Sequence, residues 1–158
     1  RVYGAELEFS LSKKTGELNH TLTGGYTFMY PVEFNPTSGK NTGVMLKYRR
    51  KHSASLNFQS EYRKFDLGLG GYIKSKTLRI DDVFLDPATR ESLLPGFFDY
   101  WNKNNTGYML LDASLGYQLT RGVNLSFMVK NLTNTEYMGR PGDIQPHRNF
   151  SLRLSGEF

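Results

Sequence analysis

The sequence has no cysteine and no long hydrophobic run, and each absence excludes a class of protein. Without cysteine, the 158-residue chain has no disulfide, no thiolate metal site and no cysteine nucleophile. No stretch of about 18 apolar residues is present, so no transmembrane helix is predicted. The mean hydropathy of −0.51 is typical of a soluble protein. A membrane β-barrel has a similarly polar average, however, because its strands alternate apolar and polar residues.

The distribution of charged residues excludes several further functions. The formal net charge is +5, but the basic residues are dispersed and form only one run, Arg49-Arg50-Lys51. A nucleic-acid interface needs a clustered basic surface, so we expect no nucleic-acid partner. The histidines share no metal-ligand spacing, and no nucleophile with its base and no catalytic carboxylate pair stands out. We therefore expect no enzyme activity, no cofactor and no metal site.

The end of the chain carries the clearest structural signal, an alternation with a period of two. Every second residue from Phe150 to Phe158 is apolar or glycine, and the residues between them are polar. This period indicates a β-strand with one apolar and one polar face. In a membrane barrel such a strand turns its apolar face to lipid and its polar face to the lumen, with an aromatic residue at the interface.

The same alternation predicts seven strands along the chain. Most are about 10–13 residues long, close to the ~9–11 residues of a tilted membrane strand and longer than the ~5–6 typical of soluble sheets. The predicted strands are residues 3–13, 18–30, 53–62, 67–76, 107–119, 123–131 and 149–158.

The connections between these strands differ in length in a regular way. Short turns follow the first, third and fifth predicted strands, whereas long connections at about 31–42, 77–106 and 132–147 follow the others. Successive antiparallel strands therefore place every short turn at one end of the sheet and every long connection at the other. Outer-membrane barrels have this arrangement, with short periplasmic turns and long extracellular loops.

Seven strands do not make a complete barrel. Bacterial single-chain barrels have even strand numbers, and an open sheet would leave two unpaired edges in lipid. Either one strand has escaped the pattern, or the chain is part of a larger barrel. We favour the second interpretation, because the first strand begins abruptly at the start of the chain.

Three motifs occur in order over the last third of the chain. They are LDASLGY at 111–117, VKNLTNTEY at 129–137, and PHRNF at 146–150 followed by the strand that ends at Phe158. Two earlier segments, YGAELE at 3–8 and KHSASLN at 51–57, fit the same pattern. Together they resemble the C-terminal part of TonB-dependent outer-membrane receptors, and the resemblance covers essentially the whole chain.

This resemblance implies a fold, a function and a set of partners. The fold class is an all-β, transmembrane, antiparallel up-and-down β-barrel of roughly 22 strands with a plug in its lumen. Residues 1–158 are then the C-terminal segment of the barrel domain, with about the last seven strands. The whole receptor imports a scarce nutrient such as an iron-siderophore, haem or cobalamin across the bacterial outer membrane, with energy supplied through TonB.

The implied partners follow from that location. They are outer-membrane lipid, the remainder of the barrel and its plug domain, the barrel-assembly machinery and the TonB complex. TonB would act through an N-terminal part, with its TonB box, that this chain lacks. A surface lipoprotein over the long loops is a further candidate partner.

Two groups of residues are candidate functional sites. An aromatic cluster in the longest connection is a candidate for ligand contact, because large loops on a rigid scaffold often carry binding sites. The alternative is that this loop packs on itself. The cluster is Phe97, Phe98, Tyr100 and Trp101. The resemblance also implies an assembly signal in the terminal strand, which otherwise reads as a lipid-facing strand end, at Phe150, Leu152, Leu154 and Phe158.

Two other functional classes remain open from the sequence. A non-transporting outer-membrane barrel with a structural or adhesive role would show the same strand pattern. A soluble β-sandwich is a third possibility, and it predicts that the chain folds without detergent with its apolar faces buried. A plug domain upstream of Arg1 would identify a receptor.

Overall fold

The computed structural model describes residues 1–156 and consists mainly of one antiparallel β-sheet. A 3-10 turn at Asp82–Phe84 and two short helices, α1 at Arg90–Leu93 and α2 at Phe97–Asn104, lie between the strands Phe65–Ser75 and Gly107–Thr120. In this described part of the chain, no helix is long and apolar enough to cross a membrane. The strands are β1 Val2–Thr15, β2 Leu18–Asn35, β3 Lys40–Met45, β4 His52–Tyr62, β5 Phe65–Ser75, β6 Gly107–Thr120, β7 Val123–Lys130 and β8 Asn149–Gly156.

Seven of the strands form one continuous path. Their order is β1-β2-β4-β5-β6-β7-β8, each antiparallel to its neighbour, and β3 pairs only with β2. Within residues 1–156, β1 and β8 lie at opposite edges, so the sheet is not closed. The predicted all-β, up-and-down architecture of a partial barrel is therefore confirmed.

The register places most of the apolar residues of the seven path strands on one face. Leu7 lies opposite Tyr26, Phe58 opposite Leu69, and Phe127 opposite Leu152. Most of these side chains are exposed, up to 69% for Leu152. An apolar surface this extensive is unusual on a soluble monomer and is the surface that a barrel turns to lipid.

The opposite face is polar and rich in small residues. The register aligns Glu6 with Thr27, and Gly68 with Ser114. A Cβ atom on Gly68 would lie 2.5 Å from the Ser114 hydroxyl oxygen, so the small residue lets these strands pack closely. We call this the polar face; it corresponds to the lumenal face of a barrel.

The two ends of the sheet differ as the connection lengths predicted. Two-residue turns at 16–17, 63–64 and 121–122 lie at the end that we call the short-turn end. The opposite end, the long-connection end, carries residues 36–51, 76–106 and 131–148, which we call the first, second and third connections.

The structure corrects two details of the sequence interpretation. Residues 40–45 form the additional strand β3, which was not among the seven predicted strands. It pairs as a hairpin with the end of β2, which extends to Asn35. Alternation was hard to detect here because Gly and Asn interrupt it. No helix was predicted in the second connection, but it contains short helices that pack on one another.

Most of the buried residues lie at or near the long-connection end, and Gly24 is the exception in the middle of the sheet. Val32, Ile80 and Phe97 are almost fully buried, and Thr77 and Asn131 are the buried polar residues. A single sheet layer has no interior of its own, so an interior forms only where the connections pack together.

Candidate functional site

The long-connection end is the candidate functional site because the three connections meet there. The first and second connections pair through their backbones. The Tyr48 N–H donates to the Arg79 carbonyl at 2.7 Å, and the Leu78 N–H donates to the Arg49 carbonyl at 2.8 Å. These bonds hold two segments that are far apart in sequence in a fixed arrangement above the sheet.

A charged network reinforces this pairing. Lys47 Nζ lies 2.8 Å from Asp81 Oδ1, and the Tyr48 hydroxyl also donates to Asp81. Arg79 binds Glu33 at 3.1 Å and Asp82 at 3.0 Å. The hydrogen bond from Lys47, followed by that from Tyr48, holds the pKa of Asp81 below its ordinary value. The carboxylates of Asp81 and Asp82 are therefore engaged by cations of the protein itself.

The aromatic cluster of the second connection divides into an interior part and a surface part. Phe97 is 5% exposed, and its ring centroid lies 5.7 Å from that of Phe84 and 5.8 Å from that of Trp101. Phe98 lies on the surface side with the Arg90 guanidinium 3.9 Å above its ring. The structure thus gives Phe97 a packing role, and ligand contact by the other three residues stays a prediction.

Tyr100 and Trp101 lie at the boundary between the second and third connections. They line a cavity of about 40 Å³ together with Tyr108, Glu136 and Tyr137. Burial, together with a hydrogen bond to the Glu136 carboxylate, raises the pKa of Tyr100 to about 12. The cavity is much smaller than a typical pocket for an organic ligand, which has roughly 300–1,000 Å³.

Arg50 joins all three connections and was not identified from the sequence. Its guanidinium donates to the carbonyl of Ser75 and, at 3.5 Å, to that of Met138, and it lies 4.9 Å from the centroid of the Tyr108 ring. Burial lowers the pKa of Arg50. The run Arg49-Arg50-Lys51 was interpreted only as surface charge, and no local signal distinguished the partly buried Arg50 within it.

A second set of residues missed by sequence reasoning lies where β7 ends. Asn131 is 4% exposed, and its backbone N–H donates to Asp112 Oδ1 at 2.8 Å. Asp112 belongs to the LDASLGY motif and Asn131 to the VKNLTNTEY motif, so the structure brings two of the sequence motifs into contact. The sequence shows both motifs, but the contact between Asp112 and Asn131 forms only when the strands pair.

The proposed assembly-signal residues occupy the apolar face of the edge strand β8. Phe150, Leu152 and Leu154 pair with Val129, Phe127 and Leu125 and are strongly exposed. Phe158 lies outside the described residues. This placement agrees with a lipid-facing strand end, and the signal role stays a prediction.

Comparisons with known proteins identify a family and several solved structures that are similar to this chain. A family model described as "TonB dependent receptor-like, beta-barrel" matches residues 1–132. No curated protein matches the chain. The crystal structure of the ferric-catecholate import receptor Fiu from K12 E. coli is similar, with a TM-score of 0.61 and 23% sequence identity. The match covers 96% of this chain but only 20% of that receptor, and at this identity it shows the fold alone.

Proposed function

This chain belongs to the family of TonB-dependent receptor β-barrels, and we propose that it is the C-terminal segment of such a receptor in the bacterial outer membrane. The family match over residues 1–132 carries this proposal. The exposed apolar face and the sorting of long and short connections support it, because both are features of outer-membrane barrels. The remainder of the barrel would pair with the edge strands β1 and β8.

We infer that the complete protein transports a nutrient and is not an enzyme. The substrate class is a scarce nutrient such as an iron-siderophore, haem or cobalamin, moved with energy supplied through TonB. Fiu is described as a ferric-catecholate import receptor, which makes a ferric catecholate a reasonable first probe for this protein. The partners proposed are outer-membrane lipid, a plug domain in the lumen, the TonB complex and the barrel-assembly machinery.

Uptake measurements test this function directly. The gene for the intact protein is expressed in cells that lack their own iron and cobalamin receptors, with and without TonB. Accumulation of radioactive iron from a ferric catecholate, a ferric hydroxamate and haem is compared, and accumulation of radioactive cobalamin is measured in the same cells. We expect uptake of at least one probe that is lost without TonB. Cells without the receptor provide the background.

The alternative of a non-transporting outer-membrane barrel predicts a different result. Such a protein would reach the outer membrane, but cells with and without TonB would show the same background accumulation of every probe, cobalamin included. That outcome would overturn the transport proposal and leave the barrel assignment in place.

A further inference from the structure

The third connection contains a small hairpin, residues 137–145, that we call the strap. The Gln145 N–H donates to the Tyr137 carbonyl at 3.0 Å, and the Gly139 N–H donates to the Asp143 carbonyl at 3.1 Å. A bond from the Asp143 N–H to the Arg140 carbonyl at 3.0 Å closes its turn. These internal bonds give the strap a defined shape of its own.

The strap lies over the polar face of β5 and β6. The ring centroids of Tyr137 in the strap and Tyr108 in β6 are 4.5 Å apart. A recess of about 390 Å³ lies between the strap and the sheet, and its walls are Tyr72, Lys74, Tyr108, Leu110, Tyr137, Gly139, Asp143 and Gln145. Because the sheet residues in this set belong to the polar face, the connection folds toward the lumen of the barrel.

The far side of the strap reaches the other two connections. The Arg140 guanidinium lies 5.4 Å from the centroid of the Tyr48 ring in the first connection. In the second connection, Leu94 Cδ2 lies 3.7 Å from the position of a Cβ atom built on Gly142. The strap therefore extends from the β7–β8 side across β6 and β5 toward the first connection.

Asn131 closes the base of the strap. Its amide nitrogen donates to the Thr135 carbonyl at 2.8 Å and the Pro146 carbonyl at 3.3 Å, and its amide oxygen accepts from the Thr135 N–H at 2.8 Å. Asn134 adds a bond in which Oδ1 accepts from the Arg148 N–H at 2.9 Å. The two asparagines thus join the start of the connection to its end.

Asp112 fixes this base to the sheet. Its side chain accepts from the Asn131 N–H, and the Leu132 N–H donates to the Leu111 carbonyl at 2.6 Å. Asn131 and Asn134 have φ angles of 52° and 55°, which asparagine tolerates better than most residues. The side-chain bonds and the backbone turn therefore depend on the same residues.

We propose that Asn131, anchored by Asp112, is the positioning residue that holds the strap across the lumenal face, where the strap narrows the route along β5 and β6. The proposal rests on the proposed function only in treating this face as a transport route. A buried amide with its groups bonded has one well-defined position, whereas its loss leaves the Thr135 and Pro146 carbonyls without this donor. The strap should then leave the polar face.

Spin-label distances in the intact outer-membrane protein test this arrangement. This chain has no cysteine, so labels at Asp143→Cys in the strap and Arg121→Cys at the short-turn end are introduced after any cysteines elsewhere have been replaced. We expect one narrow distance distribution in the parent. Asn131→Gly keeps the positive φ accessible but removes the amide, and we expect a broader distribution shifted from that of the parent.

Matched variants separate positioning from general stability. Asp112→Asn keeps an oxygen for the Asn131 N–H and should retain the narrow distribution, whereas Asp112→Ala should broaden it. Asn124→Ala, at the other end of β7, should match the parent. Heat-modifiability on gels verifies that each variant is folded. If Asn131→Gly does not fold, the comparison of Asp112→Asn with Asp112→Ala tests the proposal.

An unchanged distribution in both Asn131→Gly and Asp112→Ala would overturn the proposal, as would equal broadening in Asn124→Ala. The label distances are independent of nutrient uptake. Failure of the strap proposal is therefore distinguishable from failure of the transport proposal, which TonB-dependent uptake measures.

Discussion

The two ends of the sheet reverse the chain in different ways. At the short-turn end, each reversal takes two residues, and each turn contains a residue with positive φ: Gly16 at 62°, Arg63 at 53° and Gly122 at 82°. Such turns need only local backbone geometry. At the long-connection end, residues distant in sequence, such as Arg50 and Met138, meet through a hydrogen bond that spans 88 positions.

This difference shows which end of the sheet is suited to carry a binding site. The short turns bury no side chain. The long connections bury Ile80, Phe97 and Asn131, and they form an ion pair between Lys47 and Asp81. Binding residues are often found on loops that a rigid scaffold positions. The comparison predicts that changes at the short-turn end affect assembly of the barrel, whereas changes at the long-connection end affect local structure.

The largest effect, a loss of folded protein from the outer membrane, is expected from a change in the proposed assembly signal. Strand β8 runs toward the short-turn end, where Gly156 pairs with Val123, and the signal ends two positions later in the sequence. We predict that Phe158→Ser lowers the amount of folded protein in the outer membrane several-fold. The heat-modifiable band in outer-membrane fractions measures this amount.

Ser155→Ala is the control for this experiment, because Ser155 belongs to the alternate, polar set of positions in the same strand. It should assemble like the parent. If Phe158→Ser assembles as well as the parent, the signal role is contradicted. The expectation that changes at the short-turn end affect assembly would then be wrong.

An intermediate effect is expected from the interior of the second connection. Removal of the buried ring in Phe97→Ala leaves a cavity between Phe84 and Trp101 and should lower the free energy of opening of this connection by about 3–5 kcal/mol. Hydrogen–deuterium exchange should accelerate at residues 90–104 and stay unchanged in the short turns.

Leu93→Ala provides the matched control, since Leu93 lies in the same connection but is 55% exposed. Its exchange should resemble that of the parent. Faster exchange throughout the sheet in Phe97→Ala would show that the connection and the sheet open together, and the two ends would then not be independent.

The smallest effect is expected from the ion pair that Lys47 in the first connection forms with Asp81 in the second. Lys47 is the main cause of the lowered pKa of Asp81, so Lys47→Met should raise this pKa toward 3.8. A carboxylate with a lowered pKa in the folded state stabilises the fold above its unfolded pKa and loses that contribution as the pH falls through the folded value. The stabilising contact should therefore weaken below about pH 4 in the parent.

Carboxyl-carbon NMR titration of Asp81 in the isotopically labelled protein measures this shift. Lys14→Met, on β1 near the short-turn end, should leave the titration of Asp81 unchanged. The same Asp81 titration in the parent and in Lys47→Met would show that the ion pair does not hold the two connections together.

Much of the sheet could be predicted because its signals are local. Alternation placed the path strands within a few residues of their observed bounds, apart from the five further residues of β2 up to Asn35. Strand β3 was missed because Gly43 and the neighbouring polar residues obscure its period of two. The helices of the second connection are short and depend on packing around Phe97, so no extended periodic pattern marks them.

The candidate site was predictable only in part. The aromatic cluster was found, but the sequence did not distinguish buried Phe97 from its neighbours. Arg50 and Asn131 escaped notice because their importance comes from burial and from partners on other connections. The NLTN segment drew attention as part of a motif, yet only the bonds to Thr135, Pro146 and Asp112 give it a structural role.

The sequence by itself determined the seven path strands, their two faces and the end at which each turn lies. These properties follow from the period of two and from the lengths of adjacent connections, which are local features of the chain. Only the tertiary structure decided that the third connection folds over the polar face and that Arg50 binds the carbonyl of Met138. Such contacts join residues that no local pattern relates, and their geometry arises only when the paired strands bring the connections together.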